Sequence, residues 1–164
     1  MKTLGLLLTL ASFAVAAPNP TVVLVHGAFA DGSSWARVIP ILEPDGYTVI
    51  AVQNPLTSLA DDVATTKRVI DLQKGPVLVV GHSYGGAVIS AAAAGNPNVK
   101  ALVYIAAFAP EANEVLAAPS ANFAPPALNS ALVPDAAGFL YADRASSVTR
   151  FAKMFRRRTH AWRP

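Results

Sequence analysis

The chain has no cysteine, and that absence removes a thiol nucleophile, a thiolate metal site and a disulfide framework together. Histidine is almost as scarce. Only His26, His82 and His160 are present, in no HExxH pattern, so no metal site is expected, and nothing in the chain implies a cofactor. Charged residues make up 14% and aromatic residues 8%, against 53% hydrophobic residues, which is enough for a core without covalent staples. A run of ~20 apolar residues is missing too, which excludes a transmembrane helix. No internal repeat is visible.

Acidic residues are absent from one end. Residues 18–143 carry five basic and ten acidic side chains, whereas residues 144–164 carry seven basic and none acidic. The formal charge of +3 therefore hides an acidic domain with an Arg-rich tail. Phe151, Phe155 and Trp162 lie among those arginines, but no nucleic-acid motif accompanies them, so no nucleic-acid partner is expected. At the other end, Lys2, an apolar run from Leu6 to Val15 and the small-residue site Ala14-Val15-Ala16 read as a signal peptide over residues 1–17. Cleavage near Ala16 or Ala17 and a secreted or periplasmic location are expected.

Thr21-Val22-Val23-Leu24-Val25 is a nearly continuous β-branched run, the pattern of a strand buried on both faces. It ends in His26-Gly27-Ala28-Phe29. Trp35, Val38, Ile39, Ile41 and Leu42 recur at helical spacing and predict a helix over about 33–43, with Pro40 as a complication. Tyr47 to Val52 predicts a second strand. Ser58, as N-cap before Asp61 and Asp62, opens an amphipathic helix carrying Leu59, Val63, Val69, Ile70 and Leu72. A third strand is expected over 76–80 and a fourth from Val99 to Phe108. Strands alternating with helices mean βαβ units and a parallel sheet, with the ligand beyond the carboxyl ends of the strands.

The third strand runs into Gly81-His82-Ser83-Tyr84-Gly85-Gly86, and a small-residue run, Ala87 to Ala94, follows. Strand, tight turn and helix in this order place a serine at the apex of a strained turn. Gly81 and Gly85 are needed there so that strand and helix can approach. The hydroxyl is then exposed near a helix N-terminus, where backbone N–H groups can stabilise an oxyanion.

The two turns, Trp35 and the Val49 to Val52 strand, taken together, resemble the α/β-hydrolase superfamily over roughly residues 20–110. They are most similar to its branch of small esterases, plant methyl esterases and hydroxynitrile lyases. The resemblance implies that Ser83 is the nucleophile and that the backbone N–H groups of Ala28 and Tyr84 form the oxyanion hole. An ordinary turn role for Ala28 stays open. His26 and His82 are expected to be structural, the first ordering its loop and the second directed away from Ser83. Tyr84 is expected at the pocket mouth and Trp35 in the core.

The family order requires an acid and then a histidine after the serine. Downstream of Ser83 stand only His160 as base and Glu111, Glu114, Asp135 and Asp143 as acids. His160 with Asp135 or Asp143 is one completion of a triad. No strand is evident after Phe108. Residues 109–143, broken by Pro110, Pro119, Pro125, Pro126 and Pro134, read as a lid. A sheet ending at the fourth strand would leave Leu102 to Ile105 as an exposed apolar edge, and the change to an acid-free tail is what a frameshift would produce. The expectation is an α/β fold, an α/β-hydrolase-type parallel sheet with flanking helices and its C-terminal strands missing. Its parts are a signal peptide (1–17), a hydrolase core (18–108), a lid-like segment (109–143) and the tail (144–164). The expected function is a serine esterase acting through an acyl-enzyme on a small-molecule ester. Alternatives are a catalytically silent domain that binds a small apolar ligand, and lyase chemistry on the same scaffold.

Overall fold

The computed structural model describes residues 18–114, 116 and 127–143 of the chain. The signal-peptide reading, the Arg-rich tail, His160 and part of the lid-like segment lie outside the described residues.

Four strands, β1 (Thr21–Val25), β2 (Val49–Val52), β3 (Val77–His82) and β4 (Val99–Ile105), form one sheet in the order β2-β1-β3-β4. Every pairing is parallel. β1 therefore connects toward one edge and β3 toward the other. Right-handed crossovers in opposite directions must lie on opposite faces of the sheet. That is what the two packed clusters show. Val22 and Leu24 face Trp35, Val38, Ile39 and Leu42, while Val23 and Val25 face Ile70, Val88, Ile89 and Ala92. The crevice where the connections diverge lies beyond the carboxyl ends of β1 and β3.

The second helix is the one foreseen. α2 spans Leu59–Asp71, and the Ser58 hydroxyl accepts the Asp61 N–H at its start. The first predicted helix does not form as one piece. A 3-10 turn (Gly32–Trp35), a short α1 (Ile39–Leu42) and another 3-10 turn (Glu43–Asp45) take its place. Pro40 and Pro44 each sit in the first turn of their own segment, because a proline has no N–H for the preceding turn and closes it off. α3 (Gly85–Ala92) follows the serine turn. β2 begins two residues later than expected, β3 extends through His82, and β4 stops at Ile105.

A correction concerns the region after Phe108. Leu132–Pro134 (β5) and Leu140–Ala142 (β6) pair as an antiparallel hairpin separate from the main sheet. Three-residue strands offer too few alternations to be visible as a pattern. Among the described residues no helix is long and apolar enough to cross a membrane.

Candidate functional site

Each strand of the parallel sheet is followed, within a few residues, by a non-glycine residue in left-handed backbone: Phe29 (φ 61°), Leu56 (φ 58°), Ser83 (φ 54°) and Ala106 (φ 43°). Such residues cost energy through Cβ crowding, and they persist only where surrounding contacts hold them. All four lie at the end of the sheet where the crevice opens.

Ser83 is held by its backbone. Its N–H donates to Ile105 O at 3.3 Å, and its carbonyl accepts the N–H groups of Gly86 at 3.0 Å and Phe108 at 3.1 Å. The flanking glycines permit the close approach. A Cβ at Gly81 would stand 2.6 Å from the Gly85 carbonyl oxygen, and one at Gly85 would stand 2.6 Å from Val25 O and 2.7 Å from His26 O. Gly85 thus packs α3 against the end of β1 as well as closing its own turn. The site of a Cβ on Gly27 lies 3.0 Å from Ser83 Cβ, which brings the His26-Gly27-Ala28 turn directly against the serine. Among the described residues, the backbone N–H groups of Ala28 and Tyr84 have no acceptor, and the half-buried Ser83 hydroxyl has no hydrogen-bond partner.

His26 is fully buried, and both ring nitrogens are engaged. Nδ1 donates to Gly27 O at 2.9 Å, and Nε2 accepts the Asn54 N–H at 3.1 Å. A carbonyl can only accept and a backbone N–H can only donate, so the ring is neutral with its proton on Nδ1. It orders the turn and ties it to the end of β2. Asn54, itself buried, also accepts the Thr66 hydroxyl at 3.1 Å, which carries the tie to α2. His82 is exposed, and Trp35 is buried in the core.

The residue that sequence reading missed is Asp62. Its carboxylate is fully buried; Oδ1 accepts the Leu56 N–H at 2.8 Å and Oδ2 accepts the Tyr84 hydroxyl at 2.7 Å. It therefore binds the loop after β2 to the turn after β3. Burial first, and the Asp62 hydrogen bond second, push the Tyr84 phenol far above the usual tyrosine range. The signal was present in the helix period. Asp62 and Thr66 continue the stripe of Ile70 at intervals of four, which puts both on the buried face of α2.

Ala28, Phe29, Leu56, Asp62 and Tyr84 line a cavity of about 850 Å³, and Phe139 and Leu140 from the hairpin region line it as well. Ser83 adjoins this space through Tyr84 and, across Gly27, Ala28. Asp135 lies in the hairpin turn. Its Oδ1 accepts the N–H groups of Ala137 and Phe139, both at 2.9 Å, so this carboxylate serves its own loop. Glu114 accepts the Glu111 N–H. Among the described residues no cluster of three or more His, Asp or Glu is placed to hold a metal ion.

The model of the Alpha/beta hydrolase family matches residues 22–164. A pyrethroid hydrolase of Sphingobium wenxiniae is 35% identical over 100 residues, covering 52% of this chain and 35% of that protein. An alpha-hydroxynitrile lyase of Arabidopsis thaliana is 32% identical over 107 residues, covering 57% of this chain and 42% of that protein. The crystal structure of a pyrethroid hydrolase from Sphingobium faniae superposes with a TM-score of 0.71 at 23% identity, over 88% of this chain and 64% of that one, a likeness of fold. The chain spans well under half the length of these curated relatives. With the sheet order, the serine turn and the family match in agreement, this chain belongs to the alpha/beta hydrolase family.

Proposed function

We propose that the chain is a serine hydrolase of small carboxylic esters, with Ser83 as nucleophile. The observation that supports this most is the left-handed backbone of Ser83 between β3 and α3, packed against the His26-Gly27-Ala28 turn. In this reading Ser83 Oγ bonds to the ester carbonyl carbon while its proton passes to a base. The carbonyl electron pair moves onto oxygen, where the N–H groups of Ala28 and Tyr84 hold it. Collapse expels the alcohol, which takes the proton from the base, and water then repeats the sequence on the acyl-enzyme.

The base is not His26, whose nitrogens are both bonded. His160 is the histidine that chain order leaves for the role. Asp135, whose Oδ1 holds its own turn, and Asp143 are the two acids to test with it. Export directed by residues 1–17 belongs to the same proposal, and a secreted chain beginning at Ala17 or Pro18 would support it.

Turnover of p-nitrophenyl acetate and butyrate by the purified chain, lost in both Ser83→Ala and His160→Ala, is the expected result. No turnover in a chain shown by circular dichroism to be folded would favour the second reading, a domain that binds a small apolar ligand without cleaving it. The cavity and the unpartnered Ser83 hydroxyl are compatible with that reading too. Cleavage of a cyanohydrin in place of an ester would point to lyase chemistry.

A further inference from the structure

Thr57, Ser58, Asp62, Tyr84 and Tyr141 bring polar groups to the cavity wall; the Thr57 and Ser58 hydroxyls donate to Asp61, and the polarity of the Tyr84 hydroxyl is fixed by Asp62. Its Oδ1 is taken by the Leu56 N–H and its Oδ2 by the Tyr84 hydroxyl. In both bonds the Asp62 carboxylate is the acceptor. A phenol has one proton, and here it points at Asp62, so Tyr84 Oη offers the cavity only lone pairs. The raised pKa of Tyr84 keeps that proton in place at any ordinary pH. Phe29, Leu59, Phe139 and Leu140 supply apolar surface around it.

The geometry points to a donor-selecting subsite: the cavity takes a neutral, apolar molecule bearing a hydroxyl or N–H group, which donates to Tyr84 Oη, and a carboxylate is disfavoured at that one position. This rests on the reading of the cavity as the substrate's seat, and it names the substrate class as esters whose apolar part carries a hydrogen-bond donor. A carboxylate in the same place meets the lone pairs of a phenol whose proton is already given to Asp62. Hydrolysis that frees a carboxylate near that hydroxyl thus turns a fitting ligand into a disfavoured one.

The arrangement makes an unusual prediction for Asp62→Asn. The Leu56 N–H still requires an acceptor, so the amide oxygen takes the Oδ1 position and the amide NH2 faces Tyr84. The phenol must then accept, and its proton turns into the cavity. The hydroxyl changes from acceptor to donor.

Calorimetric titration of the full chain with 4-phenylbutan-1-ol, its methyl ether and 4-phenylbutanoate reads this directly. In the wild type the alcohol binds about tenfold more tightly than the ether, as one hydrogen bond allows, and the carboxylate binds most weakly. In Asp62→Asn the alcohol-to-ether ratio falls to about one and carboxylate affinity rises about tenfold. In Tyr84→Phe the ratio also falls to about one, with no gain for the carboxylate. Leu140→Ala, at an exposed hairpin position, weakens all three probes alike and so locates them in the cavity. Circular dichroism checks each variant, and if either Asp62→Asn or Tyr84→Phe does not fold, the other still decides.

Equal affinity of alcohol and ether in the wild type, a ratio unchanged in Tyr84→Phe, no effect of Leu140→Ala, or no binding of any probe would overturn the proposal. The two readings also separate. Donor preference retained in Ser83→Ala, in a chain that does not turn over nitrophenyl esters, sinks the nucleophile and leaves the subsite standing. Turnover without donor preference sinks the subsite alone.

Discussion

β1 and β4 belong to one sheet, separated only by β3, and both are written in apolar residues. Yet Val23 and Val25 of β1 are 0% exposed, whereas Val103 and Ile105 of β4 are 42% and 44% exposed. β1 has a strand on each side and helical segments on both faces. Among the described residues β4 has a strand on one side only. Apolar sequence states a demand for cover; neighbours decide whether the demand is met. The same contrast separates the well-packed carboxyl end of β1 from the hairpin, whose Phe139, Leu140 and Tyr141 are exposed and whose turn is held by hydrogen bonds to Asp135.

The sharpest way to break the covered half is Gly85→Ala. The added methyl would meet backbone oxygens of Val25 and His26, which cannot swing aside as a side chain can. A loss of at least about 3 kcal/mol in urea unfolding is expected. Next comes a matched pair that tests the comparison itself. Val23→Ala should cost about 2 kcal/mol and Val103→Ala under about 0.5 kcal/mol, because only the first empties a filled space. Equal losses would show that β4 is covered after all. Removing the α2 cap with Ser58→Ala should cost about 1 kcal/mol by the same assay.

The smallest effect expected is that of acid. Ser33 lowers the pKa of Asp31, Ser58 and Thr57 lower that of Asp61, and Lys67 foremost lowers that of Asp71, each from 3.8. A carboxylate whose pKa is depressed in the folded state stabilises the fold above the unfolded value and loses that contribution as pH falls through the folded one. The urea midpoint should therefore drop modestly between pH 5 and pH 3. All three groups are solvent-exposed, so added salt should shrink the part contributed by the Lys67–Asp71 pair.

Much of this arrangement was legible in the sequence, and for local reasons. A β-branched run such as Thr21 to Val25 has few ways to bury itself other than as a central strand, and a serine between Gly81 and Gly85 admits few backbone paths. The Ser58 cap announced α2. The stretch around Pro40 and Pro44 was harder, since apolar spacing alone does not reveal where each proline restarts the turn. Asp62 was hidden differently. The period of α2 put it on the buried face, but its partner Tyr84 lies 22 positions later, and no local pattern reports a hydrogen bond of that span. In one dimension nothing distinguishes a carboxylate that also holds a turn, as Asp135 does, from one that does not.

The left-handed residues at the carboxyl end of the sheet have a consequence for directed evolution. Glycine at Phe29 or Leu56 would relieve Cβ crowding, so a selection for heat resistance has an incentive to choose it there. Both side chains, however, are walls of the cavity, and each such gain would be taken from the shape that a ligand meets. Resistance to heat and discrimination among ligands are thus set against each other at named positions, and a library that varies 29 and 56 while screening both traits would draw the boundary between them.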